Sequence, residues 1–388
     1  MNSAVVAAVI AASVSLLTLI GTLAAQYLAR RATSRELGRT LAEQRTRTLN
    51  ERFATAADKL GSDKPAAVRL AGVYAMAGLA DDWPENRQTC IDILCAYLRL
   101  PYEADPGVKA LVEERLAFQA SREVRHTVIR IITAHLRDGA LVPWRGRNFD
   151  FTGVVFDGGD FNDATFLGNV YFTGAEFSSG MVSFIRTRFS GDAYFTGARF
   201  SGGTVHFYRA DFPVGANAYF NDTNFSGGEV YFKAAKFSGL VHISDAKFSG
   251  GEVNFGGAEF SGTVDFNHAE FSGSTVGFQA AKFCSIGGVS FGSAKFSGNS
   301  VVSFGSAEFS GGTVDFNNAH FSGSIVGFHS AEFSGGTVDF NHAHFSGGIV
   351  DFNHAKFSGG TLDFTDPGDW SRPPEFPWTG TPPAGVML

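Results

Sequence analysis

Val338-Asp339-Phe340-Asn341-His342-Ala343-His344-Phe345-Ser346-Gly347 is the stretch on which the reading of this chain turns. Val338 and Phe340 flank one outward residue, so their side chains share one face of a short extended segment. The step from Phe340 to Ala343 is three residues, which breaks the alternation and requires a corner before Phe345. Ser346-Gly347 suits the next corner, because glycine accepts the positive φ that a tight turn demands. Apolar segments this short cannot close a core alone and are buried only when successive copies stack.

Working outward, the same pattern recurs along most of the chain. Phe151, Phe156, Phe161 and Phe166 step by five, and from Phe172 the spacing alternates between five and six to eight. Two units take turns. One is Ala-x-Phe-Ser-Gly, as in Ala307 to Gly311 and Ala331 to Gly335; the other is Val-x-Phe, as in Val314 to Phe316 and Val350 to Phe352. From Phe172 to Phe364, with Ile243 replacing one Phe, 16 intervals cover 192 residues, which makes 12 per pair of units. Of 40 Phe, 38 lie at or after Phe149, so the chain divides compositionally into two parts. The 47 glycines keep no three-residue period, which excludes collagen, and three cysteines exclude a disulfide scaffold. Cys90, Cys95 and Cys284 read as reduced thiols.

Runs such as Ala307-Glu308-Phe309-Ser310-Gly311 and Ala343-His344-Phe345-Ser346-Gly347 resemble the pentapeptide-repeat family, whose motif is a small residue, a polar residue, Leu or Phe, and two more. The resemblance covers residues 148–365. It implies a mainly β fold, a right-handed quadrilateral β-helix with four faces per coil and the Ala and Phe positions inward. This chain departs from the motif by insertions of one to three residues in every second unit and by Val at the small position there.

Exposed charges predict the coil length. The residues before the Phe of the Ala-type units, taken at every second unit, read Arg188, Asp211, Lys236, Glu259, Lys282, Glu308, Glu332, Lys356. The interleaved set reads Glu176, Arg199, Asn224, Lys247, Glu270, Lys295, His320, His344. A 12-residue coil would stack Arg188 on Arg199, Lys236 on Lys247 and Glu259 on Glu270, like charges at ladder distance. Two units per coil, about 24 residues, avoid this and alternate the signs down each stack. Phe151 to Phe364 then supply about nine coils and a rod of roughly 43 Å.

Ahead of the repeat, Ala4 to Ala29 are 26 residues without a charge, which as a helix reach roughly 39 Å against a hydrocarbon core of about 30 Å. Met1 to Ser3 lack the positive charge of a signal peptide, so residues 4–29 are read as one transmembrane helix. Arg30, Arg31, Arg35, Arg39, Arg45, Arg47, Arg52 and Lys59 follow it and none precedes it, which by the positive-inside bias puts the N-terminus outside and the repeat domain in the cytoplasm. Leu37, Leu41, Leu49, Phe53, Ala57 and Leu60 predict a juxtamembrane helix over residues 30–60, packed on its own domain or self-associating. Residues 61–142 read as an α-helical domain. One helix covers about Pro65 to Ala80, and two more are predicted to start at Asp82 before Pro84 and at Asp105 before Pro106. Ile91, Leu94, Cys95, Leu98 and Val124, Val128, Ile131, Ile132, His135 mark their buried faces. His126 and His135 read as packing or surface histidines.

Charge divides with the domains: residues 1–144 carry 18 Lys+Arg against 15 Asp+Glu, and residues 145–388 carry 13 against 23. Neither part is basic enough for direct nucleic-acid binding. Asn267-His268, Asn341-His342 and Asn353-His354, with His320, His329 and His344, sit at different repeat positions, so no metal site is assigned. No nucleophile–base pair, phosphate loop or acid–base pair stands out, so no catalytic residue and no cofactor are assigned, and the chain is read as non-enzymatic. Asp265, Ser290, Asp315, Asp339 and Asp363 fall on one face of successive 24-residue coils. Solvated repeat decoration explains them, and as a functional candidate Asp265, Asp315, Asp339 and Asp363 form an interaction face for a cation or a basic partner. The Pro-rich tail, residues 366–388, with Trp370, Phe376 and Trp378, reads as a cap over the last coil. These observations predict a membrane-tethered cytoplasmic scaffold with an unidentified protein partner. The alternative, borrowed from the resemblance, is a DNA mimic that inhibits a type II topoisomerase such as gyrase, which needs a continuous negative face.

Overall fold

The computed structural model describes residues 3–61, 63–102, 105–284 and 287–388. Four helices come first: α1 (Ser3–Lys59), α2 (Ala66–Asp82), α3 (Arg87–Arg99) and α4 (Val112–Leu136). α1 runs unbroken from the apolar segment through residues 30–59. Leu49, Ala56 and Leu60 are buried and Phe53 packs beside them, whereas Leu37 and Leu41 lie exposed. Only the last turns of α1 therefore dock on the helical domain.

α3 buries Ile91, Leu94, Cys95 and Leu98, and α4 buries Val124, Val128, Ile129 and Ile132, the apolar stripes that helical periodicity demands. The two proline-flanked aspartates do not open these helices. Asp82 closes α2, and α3 begins at Arg87. Asp105 accepts the Gly107 N–H at 2.8 Å, a local turn, and α4 begins at Val112, where Glu114 accepts the Leu111 N–H at 3.2 Å. A short acceptor beside proline satisfies its own turn, and proline biases the residue before it away from helix. Burial raises the Cys90 and Cys95 thiols to about 11 and about 12, which leaves both inert.

From Phe149 the chain winds as a parallel β-solenoid. Each coil contributes one short strand to each of four columns. In the first coil these are Phe149–Asp150 on face 1, Val155–Phe156 on face 2, Gly159–Asp160 on face 3 and Thr165–Phe166 on face 4. Phe149 then pairs with Val170, 21 residues on, and the longest step, Val276 to Val302, is 26. Faces 2 and 3 merge into one 16-stranded sheet because His320–Gly327 and His344–Asp351 run across the corner between them.

The corners are β-turns with a positive φ at their third residue, the hallmark of type II. Ala164 N–H donates to the Phe161 carbonyl at 3.2 Å and Ala343 N–H to that of Phe340 at 3.0 Å. Asp163, Arg186, Ala280 and His342 occupy that third position with φ between 53° and 60°, as Gly257 does at 64°. Inside, phenylalanines stack coil on coil. Phe316 lies 4.8 Å from Phe291 and 4.7 Å from Phe340, nearly coplanar with both. From Phe172 to Phe364 every Phe is buried except Phe357, which is partly covered because it ends its column.

Lys282 pairs with Glu259 and Glu308, and Lys236 with Asp211 and Glu259, so the two-unit coil holds. Sign alternation fails once on face 4, where Glu308 meets Glu332, and on face 2 His320 meets His344. The face 1 column holds 11 strands, about ten turns instead of nine. The extra strand comes from the tail: Val386–Met387 pairs with Leu362–Asp363, while Phe376 stacks on Phe352 and Trp378 meets Phe357 edge-on. Proline is tolerated there because it occupies the corners and not the ladder.

At the other end the open first coil is closed by helix side chains. Gln88, Arg99, Arg125, Arg122, Thr133 and Arg137 donate to the backbone carbonyls of Asn148, Asp150, Val155, Asp157, Asp160 and Asn162 at 2.7 to 3.1 Å. Those carbonyls have no preceding coil to pair with, and buried they would each forfeit a hydrogen bond. Asp157 is the hub of this junction, accepting from Tyr102 at 2.7 Å and Arg122 at 3.0 Å and bonded to His126 at 2.9 Å. His135 stacks 3.9 Å from Trp144 and shares Asp81 with its indole N–H. Both histidines thus serve the junction between the helices and the solenoid.

Candidate interaction face

Face 1 differs from the other three in charge. Its ten segments, from 148–153 to 361–366 with each following corner, contain nine aspartates and no Lys or Arg. All ten Lys and Arg between Asp150 and Asp366 lie on faces 2 to 4. Five of them form ion pairs across coils: Arg186 with Asp163 at 2.6 Å, Arg199 with Glu176 at 3.0 Å, Arg188 with Asp211 at 2.6 Å, Lys295 with Glu270 at 2.9 Å and Lys282 with Glu308 at 3.7 Å. On face 1, Asp150 pairs with Arg99 of α3 and Asp366 with His342. Among the described residues the other seven, Asp192, Asp222, Asp245, Asp265, Asp315, Asp339 and Asp363, have no ion pair.

The parallel register carries Asp265, Ser290, Asp315, Asp339 and Asp363 in line, one per coil. Each aspartate turns one oxygen back onto the backbone N–H two residues on, at Asn267, Asn317, Asn341 and Thr365, at 2.7 to 3.0 Å. That bond fixes the rotamer and braces the corner. Burial works to raise the Asp363 pKa, but the Thr365 N–H and hydroxyl and Asn341 outweigh it and the group stays below the ordinary carboxylate range. A shallow depression crosses the row, lined by His242, Asp265, Asn267, Ser290, Thr313 and Asp315.

The same column continues toward the helices as an aromatic ladder that the apolar pattern does not single out. Tyr171 stacks on Tyr194 at 4.9 Å, Tyr194 on Tyr219 at 4.8 Å, and Tyr219 on His242 at 5.1 Å. The Tyr194 hydroxyl donates to Asp192 at 3.1 Å, and burial together with that carboxylate raises its pKa to about 12. The signal was legible: Val170-Tyr171-Phe172, Ala193-Tyr194-Phe195 and Ala218-Tyr219-Phe220 place Tyr where later units place Asp. Face 1 is therefore half aromatic and half acidic, with a flat backbone beneath both halves.

The histidines do not assemble. His320 and His344 stack at 4.4 Å on face 2, His329 and His354 meet at 4.9 Å on the corner after face 3, and His342 sits at the corner of face 1. Among the described residues no group of three or more His, Cys, Asp or Glu is placed to hold a metal.

A parallel β-solenoid with a charge-segregated face, closed at one end by helices and at the other by its own tail, is a repeat protein built by stacking one unit along one dimension. Residues 184–236 and 232–282 match the family model described as pentapeptide repeats (9 copies). Residues 184–282 are thus pentapeptide repeats, and the same unit extends on both sides of the matched residues. No curated protein and no solved structure matches it. Its N-terminal helix is long and apolar enough to cross a membrane.

Proposed function

We propose that this protein is a non-enzymatic scaffold, held to the membrane by residues 4–29 with its N-terminus outside, that presents face 1 in the cytoplasm to a basic protein partner. The observation that carries this reading is the segregation of charge: nine aspartates and no Lys or Arg on one face of a rod whose capping helices pack on the end of α1, a helix that runs unbroken from an apolar segment. The unpaired carboxylates of successive coils repel one another, and a cationic partner would relieve that repulsion. A photo-crosslinker at Tyr194 or Asn267 should capture a protein in intact membranes, and one at Lys282 on face 4 should not. Equal capture from both faces would remove face 1 from the proposal. A reporter fused after Leu388 should be active only as a cytoplasmic marker, and deletion of residues 4–29 should move the protein to the soluble fraction. A mature form released outside the cell would reverse the topology.

The DNA-mimic reading gains from the same face, but charge density favours the scaffold. B-DNA carries one charge per about 1.7 Å of axis. Nine carboxylates on a column of 11 strands at roughly 4.8 Å spacing give about one per 5 Å, three times sparser. The protein lacking residues 4–29 should leave DNA gyrase uninhibited at micromolar concentration. Salt-sensitive inhibition that is lost when Asp265, Asp315, Asp339 and Asp363 become Asn would reverse this ranking.

A further inference from the structure

We infer that the exposed stalk of α1 carries a lipid-recognition stripe, Arg31, Arg35 and Arg39, that seats on anionic headgroups and sets the direction in which the anchor leans. The inference rests on the membrane-anchor reading above. At 100° per residue, Arg31, Arg35 and Arg39 lie on the same side of α1 as Leu49, Phe53, Ala56 and Leu60. From Leu49 onward that side is covered by the helical domain. Before it, the same side carries the three arginines, all exposed, and among the described residues none of the three has an ion pair. One continuous helix face thus has a partner in its upper half and needs one in its lower half.

The geometry selects the bilayer surface as that partner. The uncharged stretch of 26 residues exceeds a hydrocarbon core of about 30 Å by roughly 9 Å, an excess that helix tilt absorbs. On an upright helix Arg39, ten residues past Ala29, would stand about 15 Å along the axis, beyond the screening length of about 8 Å at physiological ionic strength. Tilt toward the stripe lowers Arg35 and Arg39 into range of the headgroups, and tilt the other way lifts them out. Each arginine near an anionic leaflet is attracted to it, so the stripe selects one tilt direction out of all those that the span's length allows. Leu37 and Leu41, which lie on the opposite side of the helix, then point away from the bilayer.

The test uses the full chain reconstituted in vesicles, with Cys284 replaced by Ser; Cys90 and Cys95 are buried and unreactive. A fluorophore is attached at Ala42→Cys, on the stripe side, or at Thr40→Cys, on the far side, and quenched by headgroup-labelled lipid. With phosphatidylserine present, the stripe-side label should be quenched more than the far-side label. The difference should vanish in pure phosphatidylcholine, in the R31Q/R35Q/R39Q variant, and in about 1 M salt, where the screening length falls to about 3 Å. Equal quenching on both sides, in protein that resists carbonate extraction, would overturn the stripe and leave the anchor. Extraction by carbonate would overturn the anchor and the stripe with it.

Discussion

Phe316 shows what each repeated residue contributes. Its ring sits between Phe291 and Phe340 and meets Phe304 and Phe328 edge-on at 6.3 and 6.1 Å, the offset and T-shaped geometries that aromatic quadrupoles favour. A coil of backbone on each side cannot collapse into the space that Phe316→Ala would leave. Its loss should lower stability by about 3 to 5 kcal/mol in chemical denaturation followed by circular dichroism, and a loss below about 1 kcal/mol would place the ring outside the core. Asp157 acts through charge instead. Burial pushes its pKa up, but hydrogen bonds from His126 and Tyr102 and the charges of His126 and Arg122 prevail and hold it at about 2. A depressed carboxylate stabilises above its unfolded pKa, and that stability fades as pH falls from about 4 to about 2. Asp157→Asn should therefore remove about 2 kcal/mol at neutral pH and flatten the acid limb of the stability profile, with hydrogen exchange in α4 and the first coil as the readout.

At the scale of elements, the corner turn decides more than the strand does. Strands of two or three residues have almost no propensity to express, whereas the third turn position forces a left-handed backbone on Ala280, φ 53°, an exposed residue. Ala280→Val should cost about 1 to 2 kcal/mol by crowding a β-branched side chain into that region. Ala280→Gly should stay within about 1 kcal/mol of the parent, since relief of the strain is offset by the freedom glycine has in the unfolded chain. Equal effects of the two substitutions on the denaturation midpoint would show that the corner does not dictate the fold there. Gly262 meets a different constraint: a Cβ there would overlap the Gly239 carbonyl of the neighbouring coil, so it is glycine for proximity alone.

The whole molecule is a rod whose stability is close to a sum of coils and neighbour contacts, closed by caps at both ends. Its charge pattern is laid out on that scale. Faces 2 and 4 set each Lys and Arg of their strands opposite a carboxylate of a neighbouring coil, which helps fix the register, whereas face 1 leaves like charges in line. Replacing Asp265, Asp315, Asp339 and Asp363 with Asn keeps the acceptor that braces each corner and removes the repulsion. The variant should match the parent or gain up to about 1 kcal/mol per site at low salt, and the gap should close in high salt as screening takes over. A less stable variant would mean that the carboxylate charge itself supports the corners.

Much of this was legible in the chain because the repeat repeats its physics. Val338-Asp339-Phe340 declares an inward-outward-inward strand, the three-residue step to Ala343 declares a corner, and alternating charges at the exposed position declare which coils touch. That the helix from Ala4 to Ala29 is long and apolar enough to cross a membrane needs only its length and lack of charge. What depends on distant partners stayed hidden. Asp157 looks like any repeat aspartate until α4 brings Arg122 and His126 to it, and Asp105 looks like a helix cap until its own turn takes the carboxylate. The tail's prolines argue against a strand, yet Val386–Met387 adds one because the last coil offers an open ladder. Face 1 is the clearest case. Each aspartate is an ordinary outward residue in sequence, and only the winding of the chain sets seven of them without cations on one side of the rod, because the coil, and not the repeat unit, decides which charges become neighbours.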